Sequence, residues 1–419
     1  MDILPTQKST KATHTRPQQP AGAPAAALPT ETVQHILRLA LEGESAWRRQ
    51  STRLVFGRVC TLWWKVAEVG TELAVKDTMM AEWVAKQLKA KGGKARRDRV
   101  RSLDINIEFR HVPGKGNRLT GLIIACLSLE KLEIHADSSV LLGTDSTFSK
   151  PLVAALTRLS NLKHFSYQCL NDLTLPKLAD FGTLISSWPN LTTLIIPKCN
   201  AWSLLEESQK DPVKLPNPVL LQHLHLGLGE GTGENLDTIN KIVKASFPTL
   251  RHLDLGAYSE TAFNITPRFN LSSLSVIADV APQLHTFSSG TRIELDGIPP
   301  ACNYLNATLS ALRDVRTLSL GVSGYDLSSI FTILQPLPFL HTLSITAVIE
   351  SAALDDNLDR FRPLSAQATI TFLEQATALK RFTLPVVMEH VWEKDELRSV
   401  RSAGSKRGVV VKLGGYVER

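Results

Sequence analysis

One six-residue pattern, apolar-x-x-apolar-x-apolar, returns ten times after residue 99 and leaves few folds open to the chain. It reads VRSLDI from Val100, LEKLEI from Leu129, LKHFSY from Leu162, LTTLII from Leu191 and LQHLHL from Leu221. It continues as LRHLDL from Leu250, LHTFSS from Leu284, VRTLSL from Val315, LHTLSI from Leu340 and LKRFTL from Leu379. The starts lie 25 to 39 residues apart, about 31 on average. Alternating apolar positions make each match a short strand. Helical spacing follows over Pro151–Leu159, Leu236–Phe247, Tyr304–Leu312 and Thr369–Ala376. A strand–turn–helix unit this small cannot bury its apolar side alone, so successive units must stack. The expected fold is an α/β solenoid with a parallel sheet inside and helices outside. A further match, LSSLSV from Leu271, lies too close to Leu284 to be its own repeat and is assigned to a helix. Gly408–Leu413 reads as a closing strand, preceded by a helix over Trp392–Val400.

Stacking in register writes two ladders of intervening residues across the concave face. The first runs Ser102, Lys131, His164, Thr193, His223, His252, Thr286, Thr317, Thr342, Arg381. The second runs Asp104, Glu133, Ser166, Ile195, His225, Asp254, Ser288, Ser319, Ser344, Thr383. His164, Thr193, His223, His225, His252, Asp254, Thr286, Thr317, Thr342 and Arg381 form the candidate substrate face. The pattern resembles the leucine-rich repeat, LxxLxLxxN/C, which Leu191–Cys199 follows to its last position.

His223, His225, His252 and Asp254 fall on adjacent strands and could in principle approach one zinc ion. A flat sheet supplies neither pocket nor supporting shell, and His164, His285 and His341 occupy variable positions too, so no metal is expected. The Gly227–Gly233 turn fits neither phosphate-loop spacing, and Glu230 and Glu234 would repel phosphate there. No nucleophile elbow, HExxH or kinase signature is present. Catalytic residues and cofactors are therefore expected to be none.

The formal net charge of +7 resides wholly between Lys86 and Arg101, where eight basic residues face one acid. With no aromatics interleaved, this run reads as a solvated linker over residues 76–99 and points away from nucleic acid. Residues 1–27, rich in Pro, Ala, Thr and Lys, read as a disordered tail. No apolar run is long enough to span a membrane, and the five scattered cysteines read as reduced intracellular thiols. Cytoplasmic or nuclear residence follows.

Residues 28–75 read as three short helices, the first placing Val33, Ile36 and Leu37 on one face, the others near 45–58 and 60–73. LPTETVQHIL from Leu28 and VCTLW from Val59 match the LPxE and VCxxW motifs, in that order, just upstream of the repeats. This unit resembles an F-box, and the whole layout, with the solenoid over 100–419, resembles a fungal F-box/leucine-rich-repeat protein. The resemblance implies a non-catalytic adaptor of a Skp–cullin–F-box ubiquitin ligase. Leu28, Pro29, Glu31, Val33, Ile36, Leu37, Val59, Cys60 and Trp63 would dock on the Skp-family adaptor, and the repeats would hold a protein substrate. No membrane contact and no homo-oligomer are expected. The alternative is a ligase-independent repeat scaffold that binds a protein or nucleic acid, with the three helices as its cap.

Overall fold

The computed structural model describes residues 28–68, 70–107, 117–136, 148–169, 184–199, 219–228, 241–257, 275–294, 308–323, 327–347, 364–386 and 388–414. The expected tail over 1–27 and the glycine-rich turn after Leu228 lie outside them. Twelve strands form one sheet in strict chain order, every neighbouring pair parallel. They are β1 (Glu72–Val75), β2 (Ser102–Ile107), β3 (Lys131–Ala136), β4 (His164–Cys169), β5 (Thr193–Cys199), β6 (His223–Leu228), β7 (His252–Ala257), β8 (Thr286–Glu294), β9 (Thr317–Ser323), β10 (Thr342–Ala347), β11 (Arg381–Leu384) and β12 (Val410–Leu413).

The repeat pattern explains this order. The motif apolars, such as Leu103 and Ile105, Leu132 and Ile134, Leu224 and Leu226, are buried in one continuous core along the sheet. Helices supply its other wall: α4 (Thr78–Lys89), α6 (Asn117–Ala125), α7 (Lys150–Leu156), α9 (Leu327–Leu334), α10 (Ala366–Gln375), the short α11 (Met388–Val391) and α12 (Lys394–Lys406). Strand entry repeats as well. The carbonyl of Arg101 accepts the amides of Glu130 and Lys131, and that of Thr192 accepts those of Gln222 and His223. Two tryptophans tie successive units: Trp188 donates to the Leu156 carbonyl and Trp392 to that of Leu364, each at 2.8 Å in buried surroundings. Of the extra match, residues 271–274 lie outside the described residues, and its last two open a helix, α8 (Ser275–Val280). At the C-terminal end a capping box of Glu393 and Glu396 starts α12, and β12 then pairs with β11, as expected.

The N-terminal third departs from expectation in two places. Three helices do form, α1 (Thr30–Leu41), α2 (Ala46–Gly57) and α3 (Thr61–Val66). The third stops at Val66, because Glu68 and Gly70 take left-handed backbone with φ of 49° and 82°. The chain then enters the sheet as β1, so the array begins before residue 100. The segment 76–99 is not a linker. Asp77 caps α4 by accepting the Met80 amide at 2.7 Å, and Ala81, Val84, Ala85 and Leu88 pack into the main core. A short turn of helix, α5 (Lys94–Arg97), follows. The basic side chains occupy the solvent side of this folded segment, which is why their charge alone does not reveal it.

Candidate functional site

Ladder positions stack motif to motif across the sheet. Ser102, Lys131, His164, Thr193, His223, His252, Thr286, Thr317, Thr342 and Arg381 are successive partners, as are Asp104 through Thr383. Thr193, His223, His225, His252, Asp254, Thr286, Thr317 and Thr342 are half-buried on the side away from the helices, and Arg381 is exposed. This open face is small, polar and uneven in charge.

Its middle is a histidine cluster. The rings of His223 and His252 lie 5.3 Å apart, and His285 meets His252 edge-on at 6.2 Å. Burial pushes the pKa of His223 below its ordinary value, helped by His252, His225 and His164 and opposed by Asp254. Burial also lowers that of His252, with His285 assisting. His225 Nε2 stands 3.7 Å from Asp254 Oδ2. Among the described residues no group of three His, Cys, Asp or Glu side chains is placed to hold a metal ion. Cys60 and Cys126 are both buried thiols, and burial pushes Cys126 up to about 12, the wrong direction for a nucleophile.

The N-terminal end of this face is roofed by α2. Arg49 donates to Glu72 Oε1 through Nη2 at 2.6 Å and Nε at 3.0 Å, while Arg53 Nε stands 3.5 Å from Glu72 Oε2. Gln50 Oε1 accepts the Ala74 amide at 2.8 Å, occupying the outer edge of β1. Arg49 also donates to the Glu44 carbonyl, and its pKa is raised chiefly by the Glu72 hydrogen bonds. Beside this anchor, Ser45, Ala46, Arg49, Asp104, Lys131, Glu133 and His135 line a cleft of about 400 Å³. His164 Nε2 at 3.4 Å and Lys131 Nζ at 3.0 Å hold the Glu133 carboxyl down at about 2. Burial instead raises Asp104, and His135 opposes it.

The candidate docking residues of α1 and α3 divide between inside and outside. Val33, Leu37 and Cys60 are buried, so they serve the unit's interior and offer a partner no surface, contrary to their expected role. Pro29, Glu31 and Val59 are exposed, and Leu28, Ile36 and Trp63 are half-buried. Trp63 stacks on Phe56 at 5.1 Å. Leu39, Trp47, Leu54, Val55 and Trp64 are exposed apolar residues that lie outside the recognised motifs. Trp47, Leu54 and Val55 share one side of α2, a helical spacing visible in the sequence. No helix among the described residues is long and apolar enough to cross a membrane.

No family model matches the sequence, and no curated protein matches it. Among solved structures it is similar to the leucine-rich repeat-containing protein LegL7 from Legionella pneumophila. That likeness is 12% identical, covers 81% of this chain and 89% of that one, and has a TM-score of 0.38. It is similar also to the complex of Rad7 and Elc1 in yeast, at 11% identity, 85% and 88% coverage and a TM-score of 0.37. Likenesses this remote carry nothing further, and the solenoid rests on the chain's own strand register.

Proposed function

We propose that this chain is the substrate-recognition adaptor of a Skp–cullin–F-box ubiquitin ligase, its N-terminal unit docking on the Skp adaptor and its repeats holding a protein substrate. The observation that carries the reading is how little of the N-terminal unit's apolar surface is spent inside it. Its buried apolar residues are Val33, Leu37, Ala46, Cys60 and Ala67, of which Leu37 and Ala67 form one small cluster with Leu41, Phe56 and Val66 packed against it. Leu39, Trp47, Leu54, Val55, Val59 and Trp64 remain exposed on about forty residues of chain. Such a surface suits burial against a partner, and the LPxE and VCxxW motifs name its kind. Leu28, Pro29, Glu31, Ile36, Val59 and Trp63 are the motif residues still available for that contact. Catalysis then resides in other subunits, and this chain contributes proximity.

The test is co-purification of the full chain with a Skp-family adaptor, beside Leu28→Ala/Pro29→Ala. A stable complex lost in the variant supports the adaptor role. A folded full chain that forms no complex refutes it. A second reading has its own support: α2 covers the outer edge of β1 through Arg49, Gln50 and Arg53, as a terminal cap would. In that case the chain is a ligase-independent protein-binding scaffold.

A further inference from the structure

We propose that the folded basic segment from Lys86 to Arg101 is a docking surface for an acidic stretch of another polypeptide. The segment is fixed in shape. Val84, Ala85 and Leu88 bury one side of α4 and Val100 anchors the exit. The turn between is held by Gly92, at φ 87°, and by Gly93, where a β-carbon would run into the Leu88 carbonyl. Lys89, Lys91, Lys94, Arg96 and Arg99 are exposed on this frame and Arg97 is half-buried. Among the described residues none of these six makes an ion pair, whereas Lys86 is held by Glu82 at 2.7 Å.

A mere solubilising surface mixes signs, and the rest of the chain does: outside Lys86–Arg101 the formal charges cancel. Six unpaired cations on a rigid turn are a concentrated exception. They adjoin a cleft of about 590 Å³ lined by Arg49, Arg53, Arg99, Arg101 and Lys131 but also by Glu68, Glu72 and Asp98. Those carboxylates decide between anionic partners. A nucleic acid carries evenly spaced phosphates and would have to lay some beside them, whereas a polypeptide can set its acids only against the unpaired cations. In the two turns before Lys86, Met79 and Trp83 stand 62% and 61% exposed at a four-residue spacing. They offer an apolar anchor beside the charge, which suits an acidic segment carrying a large apolar residue. The inference stands whether or not the N-terminal unit binds a Skp adaptor.

The experiment measures binding by the full chain of a fluorescent glutamate-rich peptide with two central leucines, against a single-stranded DNA oligonucleotide of matched charge, across a salt series. The peptide should bind more tightly than the DNA and weaken as salt rises. Replacing Lys89, Lys91, Lys94, Arg96, Arg97 and Arg99 with Gln should weaken it about 30-fold, and Trp83→Ala about 5-fold. A control, Arg398→Gln/Arg401→Gln on α12, should bind as the parent does. In the unaltered chain, bound peptide should protect Lys89, Lys91 and Lys94 from amine-reactive labelling, a readout independent of any variant's folding. Tighter binding of DNA would reassign the surface to nucleic acid. No peptide binding at low salt, no protection, or an equal loss in the α12 control would each overturn the proposal.

Discussion

Replacing Glu72 by Gln should release the N-terminal helices from the sheet while leaving the repeats intact. Glu72 is the only side chain through which both Arg49 and Arg53 reach β1 among the described contacts, and its side chain is 9% exposed against 26% and 19% for the arginines. Breaking one partner of a fully buried pair costs about 3–5 kcal/mol. Here the guanidiniums keep other acceptors, the carbonyls of Glu44 and Ala67, and the single amide oxygen of Gln can still accept from Arg49. A cost of about 2 kcal/mol is the reasoned figure, a roughly 30-fold rise in the opening equilibrium. In a solenoid each unit contacts chiefly its neighbours, so the loss should stay local. Hydrogen exchange reads it directly: amides of Thr30–Leu41 and Ala46–Gly57 should exchange about 30-fold faster, with β5 to β10 unchanged. Replacing Arg49, Arg53 and Glu72 together by Met, Leu and Leu should restore much of the protection, since the uncompensated charge is then gone. Uniform loss of protection across the sheet, or none in α1 and α2, would refute this account of the anchor.

Gly404→Ala should destabilise the C-terminal end by about 1–3 kcal/mol, because the added β-carbon meets Val411 Cγ2 at 2.5 Å; unaltered exchange protection over Val410–Leu413 would count against it. Glu133 has a folded pKa of about 2 against an ordinary 4.5, so its contribution is present above about 4.5 and lost as pH falls toward 2. Chemical denaturation through that window should show Glu133→Gln less pH-dependent than the parent, and parallel curves would exclude the pairing with His164 and Lys131. His223 and His252 run the same way from a higher start. Their depressed pKa values favour the neutral rings, so their contribution is complete above 6.5 and falls as pH drops below it. The double variant His223→Gln/His252→Gln should lose less stability between pH 7.5 and pH 5 than the parent, measured by denaturant midpoints.

The strands from β2 to β11 are legible because each carries the apolar motif positions, all three except in β8, where Ser289 takes the last, and a parallel in-register stack copies position onto position. That same copying makes the two ladders readable in the sequence itself. β1 escaped for a local reason. Its first motif position is Gly70, whose left-handed backbone makes the turn out of α3, and Ala74 is the only residue on its open face besides Glu72. The strand is nevertheless entered as the others are, with the Thr71 carbonyl accepting the amides of Arg101 and Ser102. α4 escaped for a different reason. Asp77 and the spacing Ala81, Val84, Ala85, Leu88 state a capped amphipathic helix, but Lys86 and Lys89 on its outer side and the basic run that follows dominate any reading made by charge.

The N-terminal surface resists sequence reading on physical grounds. In a unit of about forty residues nearly every apolar side chain is near the boundary, so the same motif supplies both interior and exterior. Val33 and Ile36 are three residues apart in one helix, yet the first is 1% exposed and the second half-buried, because α1 rests on its neighbours along a narrow stripe. The roof over β1 is harder still. Arg49 and Glu72 are joined across 23 residues by charge alone, and charge pairs have no period to detect. This changes what the unit can be. Its core is too small to fix three helices unaided, and the sheet fixes α2 through one buried carboxylate and one strand edge. Capping the sheet and presenting an apolar surface are therefore two faces of one arrangement: contact with β1 orders α2, and that order is what holds Trp47, Leu54 and Val55 out.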